Sequence, residues 1–186
     1  NGVLIRDAEA LEQAHRLQVV VLDKTGTLTR GSPQVTDVVP VGTLAAEEVL
    51  RLAASAEQAS EHPLAASLVE DARSKGLPMV EPREFRAIPG RGVVARVNDS
   101  QVAVGNLGLL QELGLSLDGA GPVGERLAQE GKTPMYLAVG GRVEGVMGVT
   151  DTLRSESAEA VAQLRRLGQE VVMLTGDTPA TAAAVA

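Results

Sequence analysis

Val19-Val20-Val21-Leu22-Asp23-Lys24-Thr25-Gly26-Thr27-Leu28-Thr29 is the stretch from which the rest of the chain can be read. The apolar run Val19–Leu22 predicts a strand of the kind found inside parallel sheets, buried on both faces. Asp23 then stands where that strand ends, the edge at which open α/β sheets bind ligands. A cation, three hydroxyls and a glycine follow it directly. Together they are a nucleophilic carboxylate, a charge to steady it, and short polar groups suited to holding a phosphate.

The composition sets bounds on the remainder. With 186 residues, 44% of them hydrophobic, the chain can build one large domain or two small ones. Its core must be mostly Ala, Val and Leu, because it has one Tyr (Tyr136), one Phe (Phe85) and no Trp. A net charge of −7 and the lack of a basic stripe argue against a nucleic-acid surface. The absence of Cys excludes disulfides and thiolate metal sites. No apolar run approaches the eighteen or so residues that a membrane-spanning helix needs. Pro179–Ala186 reads as the first turns of a helix, so the chain is expected to be a fragment.

Along the chain, Gly2–Leu17 has helical spacing and Gly31-Ser32-Pro33 reads as a connector. Val35–Val41 is a second extended run, and Thr43 is placed to cap a helix over about Leu44–Gln58. Pro63 suits a first helical position, which makes His62 the cap of a helix that Gly76 stops. Pro78–Glu84 reads as a loop. Two hairpins follow, Val93–Val97 with Gln101–Val104 and Met135–Val139 with Arg142–Val149. Helices are expected over Leu107–Leu113 and about Val123–Glu130. Ser155 is placed to cap a helix ending at Leu167, before a buried strand, Glu170–Leu174. Thr175-Gly176-Asp177 would then share a sheet edge with Asp23. The layout predicts one parallel sheet, built from residues 1–35 and 147–186, interrupted by an inserted α+β module over 36–146.

Asp23-Lys24-Thr25-Gly26-Thr27-Leu28-Thr29 resembles the phosphorylation signature of P-type ATPases. Thr175-Gly176-Asp177 resembles that family's second phosphate-site motif. Ser60-Glu61-His62-Pro63 is similar to the motif of the heavy-metal-transporting subclass, in which the glutamate and histidine contact the adenine end of ATP. Gly90-Arg91-Gly92 and Gly105-Asn106 resemble the subclass's other nucleotide-site elements. Asp151 and Arg154 look like its hinge motif, although they also suit a plain ion pair.

The resemblance implies a partial haloacid-dehalogenase-like, Rossmann-type phosphorylation domain carrying an inserted nucleotide-binding domain with an antiparallel sheet flanked by helices. It implies Asp23, Lys24, Thr25, Thr175, Gly176 and Asp177 as catalytic residues. Glu61, His62, Gly90, Gly92, Gly105 and Asn106 would hold ATP, and Mg²⁺ would sit at Asp23 and Thr25. It further implies the cytoplasmic portion of a membrane pump for a heavy-metal cation, copper(I) ahead of zinc, cadmium or silver. Its partners would be ATP and the rest of the same transporter. A soluble phosphatase of the same topology is the alternative. Such phosphatases usually carry a second aspartate two residues after the nucleophile, where this chain has Thr25. The bland readings remain open too: His62 as a simple helix cap, the glycines as turn residues.

Overall fold

The computed structural model describes residues 16–176 and Ala182. Apart from these, the expected helices over Gly2–Leu17 and Pro179–Ala186, and Asp177 with them, lie outside the described residues. In chain order the elements are β1 (Val19–Asp23), β2 (Thr29–Pro40), α1 (Ala46–Glu57), α2 (Pro63–Ser74), β3 (Arg83–Ile88), β4 (Gly92–Val97), β5 (Ser100–Gly105), α3 (Leu107–Glu112), α4 (Ala120–Gln129), β6 (Thr133–Val139), β7 (Arg142–Leu153), α5 (Ser157–Arg166) and β8 (Glu170–Leu174). They fall into two units. One takes in the chain through Gly31 together with Leu153–Gly176; the other takes in Ser32–Thr152. Both crossings lie inside strands, β2 and β7.

In the first unit β1 and β8 pair in parallel, in register from Val19↔Glu170 to Asp23↔Leu174. Both apolar runs alternate between exposed and half-buried residues, so the expected two-sided burial is not met. Val19, Val21, Val172 and Leu174 are 45%, 59%, 41% and 61% exposed. The cause is simple: among the described residues this sheet has two strands, and α5 is the helix in contact with β8.

The second unit is a six-stranded sheet in the order β2-β7-β6-β5-β4-β3. From β3 through β7 its neighbours pair antiparallel. Strand alternation sends Val93, Ala95, Val97, Val102, Val104, Leu137 and Met147 to one face, against Val49, Ala53 and Ala56 of α1 and Leu68 of α2. Val94, Ala103, Tyr136, Ala138 and Val146 go to the other, against Leu109 and Leu110 of α3 and Leu127 of α4. Burying both faces lets a chain so poor in aromatics build a core.

Several boundaries differ from those the local pattern predicts. Gly31-Ser32-Pro33 continues β2 rather than breaking it; β2 is an edge strand, where a proline costs no ladder bond. Part of the Pro78–Glu84 loop belongs to β3, an edge strand with a bulge between Arg83 and Arg86. Thr43 does not cap α1, which starts after Ala45. Thr43 instead donates its N–H to Glu144 Oε2 on β7 at 2.7 Å, and Leu44 N–H reaches the same oxygen at 3.2 Å. Ser155 is likewise not the cap of α5; Glu156 holds that place, and Ser155 Oγ donates to the Glu156 carboxylate at 3.1 Å. In each case a carboxylate draws the hydroxyl residue away from the capping role.

Gly92 and Gly105 face each other across β4 and β5. A Cβ on Gly105 would overlap Arg91 O and come within 2.7 Å of Leu109 Cδ2; one on Gly92 would overlap Val104 O. Two glycines thus let α3 lie close over this corner of the sheet. Gly105→Ala is expected to lower unfolding free energy by about 3 kcal/mol, the upper end of overpacking costs, seen as a lower urea midpoint. Gly121→Ala is the control: it lies in α4 with open space at its Cβ, and alanine suits a helix better than glycine. Equal midpoints in the two variants would refute this packing account.

Candidate functional site

Asp23 closes β1 beside Leu174, so Thr175 and Gly176, which follow β8 directly, come to the same strand edge. Parallel pairing of residues far apart in sequence therefore gathers five of the six expected catalytic residues, with Lys24 and Thr25 next in the chain. Asp177 lies outside the described residues. Lys24 is buried at 6% exposure, whereas Asp23, Thr25 and Gly26 are exposed.

The backbone after Asp23 is a wide turn over Lys24–Leu28. Thr25 and Gly26 have φ/ψ of −79°/120° and 78°/−11°, the two central conformations of a type II turn. The second requires positive φ, which explains glycine at position 26. Thr29 closes the turn from inside. Its Oγ1 donates to Lys24 O at 3.0 Å and accepts from Gly26 N–H at 3.1 Å.

Residues after β7 brace the turn from outside. Arg154 donates from Nε to Thr29 O at 3.0 Å, from Nη2 to Gly26 O at 3.3 Å, and from its backbone N–H to Leu28 O at 2.9 Å. Ser157 Oγ donates to Leu28 O at 2.7 Å. Sequence reading treats Arg154 as a hinge or ion-pair residue; in the structure its guanidinium holds loop carbonyls. Asp151 accepts from Ser32 N–H at 3.2 Å, in the other unit. No local signal distinguishes Ser157 from any other helix-opening serine.

The second unit contains a cleft of about 350 Å³, within the range of small-molecule sites. His62, Gly90, Gly92, Gly105 and Asn106 line it. Pro63 starts α2, and His62 Nδ1 accepts from Leu64 N–H at 3.2 Å, so the neutral ring carries its proton on Nε2. Asn106 helps build the wall: Nδ2 donates to Gly90 O at 2.8 Å and Oδ1 caps α3 at Leu109 N–H. Gly90 has φ +69° with open space at its Cβ. Of the three glycines it is the one whose lack of a side chain leaves room toward a ligand, since Gly92 and Gly105 are already required by packing.

Glu61 is exposed and not among the lining residues. The carboxyl in this cleft is Glu57, at the end of α1 and 3% exposed. Burial pushes it up to about 7, against a smaller opposing effect of the Ser60 hydroxyl. Helical spacing contains the clue that the motif-based reading passes over. Glu57 follows Val49 and Ala53 at intervals of four, on the stripe that faces the core.

Hard oxygen donors suit Mg²⁺, which keeps several waters and often takes only one or two carboxylates. Exposed Asp23 and Thr25 fit such a site. Among the described residues no group of three or more His, Asp or Glu side chains gathers, so no cage-like metal site competes with it. No helix among them is long and apolar enough to cross a membrane.

The family model of haloacid dehalogenase-like hydrolases matches residues 17–186. The copper-exporting P-type ATPase B of Archaeoglobus fulgidus is 45% identical over 177 residues, 95% of this chain and 25% of that protein. A solved zinc-transporting PIB-type ATPase in its E2.Pi state aligns with a TM-score of 0.75 at 37% identity, over 98% of this chain and 29% of that one. The N-domain of HMA6, a copper-transporting P-type ATPase, aligns with a TM-score of 0.53 at 30% identity, over 64% of this chain and 99% of that one. The chain spans about a quarter of the length of the curated relatives it matches. The resemblance to heavy-metal-transporting P-type ATPases, and the α/β fold with its antiparallel-sheet insertion, are borne out by these neighbours. Because the family match runs from the approach to β1 through both units, the chain belongs to the haloacid dehalogenase-like hydrolases.

Proposed function

We propose that this chain is the ATP-binding and phosphorylation portion of a P-type ATPase that exports a heavy-metal cation. The observation that carries the reading is the shared edge of β1 and β8, where Asp23 and Thr175-Gly176 stand together. An Asp23 oxygen attacks the γ-phosphorus of ATP, a P–O bond forms, and the bond to the ADP leaving group breaks. The product is an aspartyl-phosphate and ADP, which divides ATP hydrolysis into two steps. Lys24 supplies positive charge beside the nucleophile, and Thr175, Gly176 and Asp177 hold the phosphoryl oxygens. Asp23 and Thr25 would hold Mg²⁺, whose chemistry is to neutralise charge spread over the phosphoryl group. Arg154 and Ser157 keep the loop carbonyls in place, so Asp23 projects from a turn that is fixed before substrate arrives.

ATP occupies the cleft of the second unit, between His62 and the Gly90–Gly92 and Gly105-Asn106 walls. Glu57 is buried and keeps its proton up to about pH 7; in that form it can donate a hydrogen bond, which suits a neutral base rather than a phosphate. Residues 1–35 and 147–186 serve as the phosphorylation domain and 36–146 as the nucleotide-binding domain. The bare apolar face of β1 and β8 fits coverage by further chain of the same transporter, consistent with a sequence spanning a quarter of its relatives. Copper(I) is the preferred cargo, because relatives named as copper exporters are 38% to 45% identical across nearly the whole chain. Zinc is the second reading, favoured by the zinc-transporting structural neighbour. A soluble phosphatase fits less well, since Thr25 offers no carboxylate to activate water.

In the full-length protein, Asp23→Asn is expected to abolish acid-stable label transferred from γ-labelled ATP; a variant that still takes label sinks the nucleophile assignment. For the cleft, His62→Gln should weaken ATP by about tenfold, a single lost polar contact, measured as amide shifts during titration. Unchanged affinity would leave His62 as a cap only. Glu57 yields a stability prediction. Its folded value of about 7 lies above its ordinary 4.5, so the folded state keeps a proton that the unfolded state loses between those values. Stability is therefore full below about pH 4.5, falls as pH rises through 7 and then levels, a loss on the order of 3 kcal/mol. Glu57→Gln should flatten that urea-midpoint profile and be the more stable form at pH 8. A profile as steep as that of the parent chain would show that Glu57 is not the titrating group.

A further inference from the structure

The cleft has one permanently charged cation among its lining residues, Arg91, and nothing in the motif reading gives it a task. It sits between Gly90 and Gly92, in the loop that joins β3 to β4. Its backbone is fixed: Arg91 N–H donates to Ile88 O at 3.0 Å and Arg91 O accepts from Asn106 N–H at 2.8 Å. Its side chain is not buried. Nη1 donates to Gly108 O at 3.0 Å and pairs with Glu112 Oε2 at 2.7 Å, each side chain 46% exposed. A guanidinium carries five N–H donors in a planar fork. Among the described residues only Nη1 has acceptors, which leaves Nε and Nη2 available.

Two facts make that arrangement exchangeable. An ion pair half in water contributes little to stability, so a better partner displaces it at small cost. Phosphate is such a partner, because it accepts two parallel N–H bonds and carries more charge than one carboxylate. The chain has a net charge of −7, so a polyphosphate meets overall repulsion and a single local cation matters. The other charged or chargeable lining groups, Glu57 and His62, are a buried acid and a ring whose Nδ1 already accepts.

We propose that Arg91 is the phosphate-reading cation of this cleft, and that it exchanges Glu112 for the phosphates of a bound nucleoside polyphosphate. The inference rests on the nucleotide reading above and adds the residue that separates ATP from adenosine. Glu112 then acts as a competitor of moderate strength: it holds the guanidinium when the cleft lacks phosphate and weakens polyphosphate binding.

The test is titration of the 186-residue chain and its Arg91→Ala, Arg91→Lys and Glu112→Gln variants with ATP and with adenosine, at low and high salt. Arg91→Ala should weaken ATP by about 5- to 10-fold while adenosine changes less than about 2-fold, the expected size for a charge-assisted contact. Glu112→Gln should tighten ATP about 2- to 3-fold, and Arg91→Lys should fall between the parent and Arg91→Ala. The ATP preference should shrink with salt in the parent chain and not in Arg91→Ala. Equal losses for ATP and adenosine would make Arg91 a shaping residue and overturn the proposal, as would an unchanged ATP affinity or weaker ATP binding by Glu112→Gln. A parent chain that binds neither ligand overturns the nucleotide reading itself; one that binds both while Arg91→Ala is silent overturns only the role of Arg91. Amide spectra check the fold of each variant, and if Arg91→Ala unfolds, the lysine and glutamine variants decide.

Discussion

Parallel pairing of β1 with β8 is the constraint on which the rest depends. It joins Asp23 to Leu174, and everything between them must leave one strand and return to the next. A parallel pair cannot be closed by a tight turn and needs a crossover. Here the crossover contains a whole second unit, entered through β2 and left through β7. The same pairing that requires a crossover also brings Thr175 and Gly176 to the edge where Asp23 emerges. Topology and chemistry follow from one ladder.

That ladder alone would leave Asp23 at the head of a floppy, threonine-rich loop. The turn is stiffened from two sides by groups with no phosphate chemistry of their own. Thr29 closes it through Lys24 O and Gly26 N–H, and Arg154 and Ser157 hold the carbonyls of Gly26, Leu28 and Thr29. Engaging the carbonyls matters electrostatically as well. Unbonded carbonyl oxygens would repel a phosphoryl group at the proposed site, and those of Gly26, Leu28 and Thr29 are instead bonded to Arg154 and Ser157. Preorganisation of this kind lowers the reorganisation needed when charge develops.

What the sequence makes legible is what local patterns encode. The apolar runs of β1 and β8, the Pro63 start of α2 after His62, and the hairpin of Met135–Val139 with Arg142–Val149 each carry their signal within a few residues. The misplacements arise where a distant group overrides a local preference. Thr43 has the composition of a helix cap, but Glu144, a hundred residues on, captures its amide and that of Leu44. Gly31-Ser32-Pro33 has the composition of a break, but an edge position in the sheet tolerates it. Glu57 is the instructive case at the site. Charge suggests a solvated residue and motif reading points to Glu61, yet helix phase puts Glu57 on the stripe of Val49 and Ala53.

The glycines of the cleft show why motif residues have to be sorted by what their missing side chain permits. Gly92 and Gly105 are excluded from carrying a Cβ by backbone carbonyls and by Leu109, whatever occupies the cleft. Gly90 has free space, and Asn106 ties Gly90 O to Leu109 N–H through its two amide atoms. The wall is therefore a self-consistent packing unit that shapes a ligand's outline and offers few polar groups to it. The chargeable groups that line it are a buried acid, Glu57, a single permanent cation, Arg91, and the His62 ring. A wall of backbone and apolar groups with a few chargeable ones sorts ligands by outline and by charge, and in the proposed reading the flat base and charged phosphates of a nucleotide answer to both.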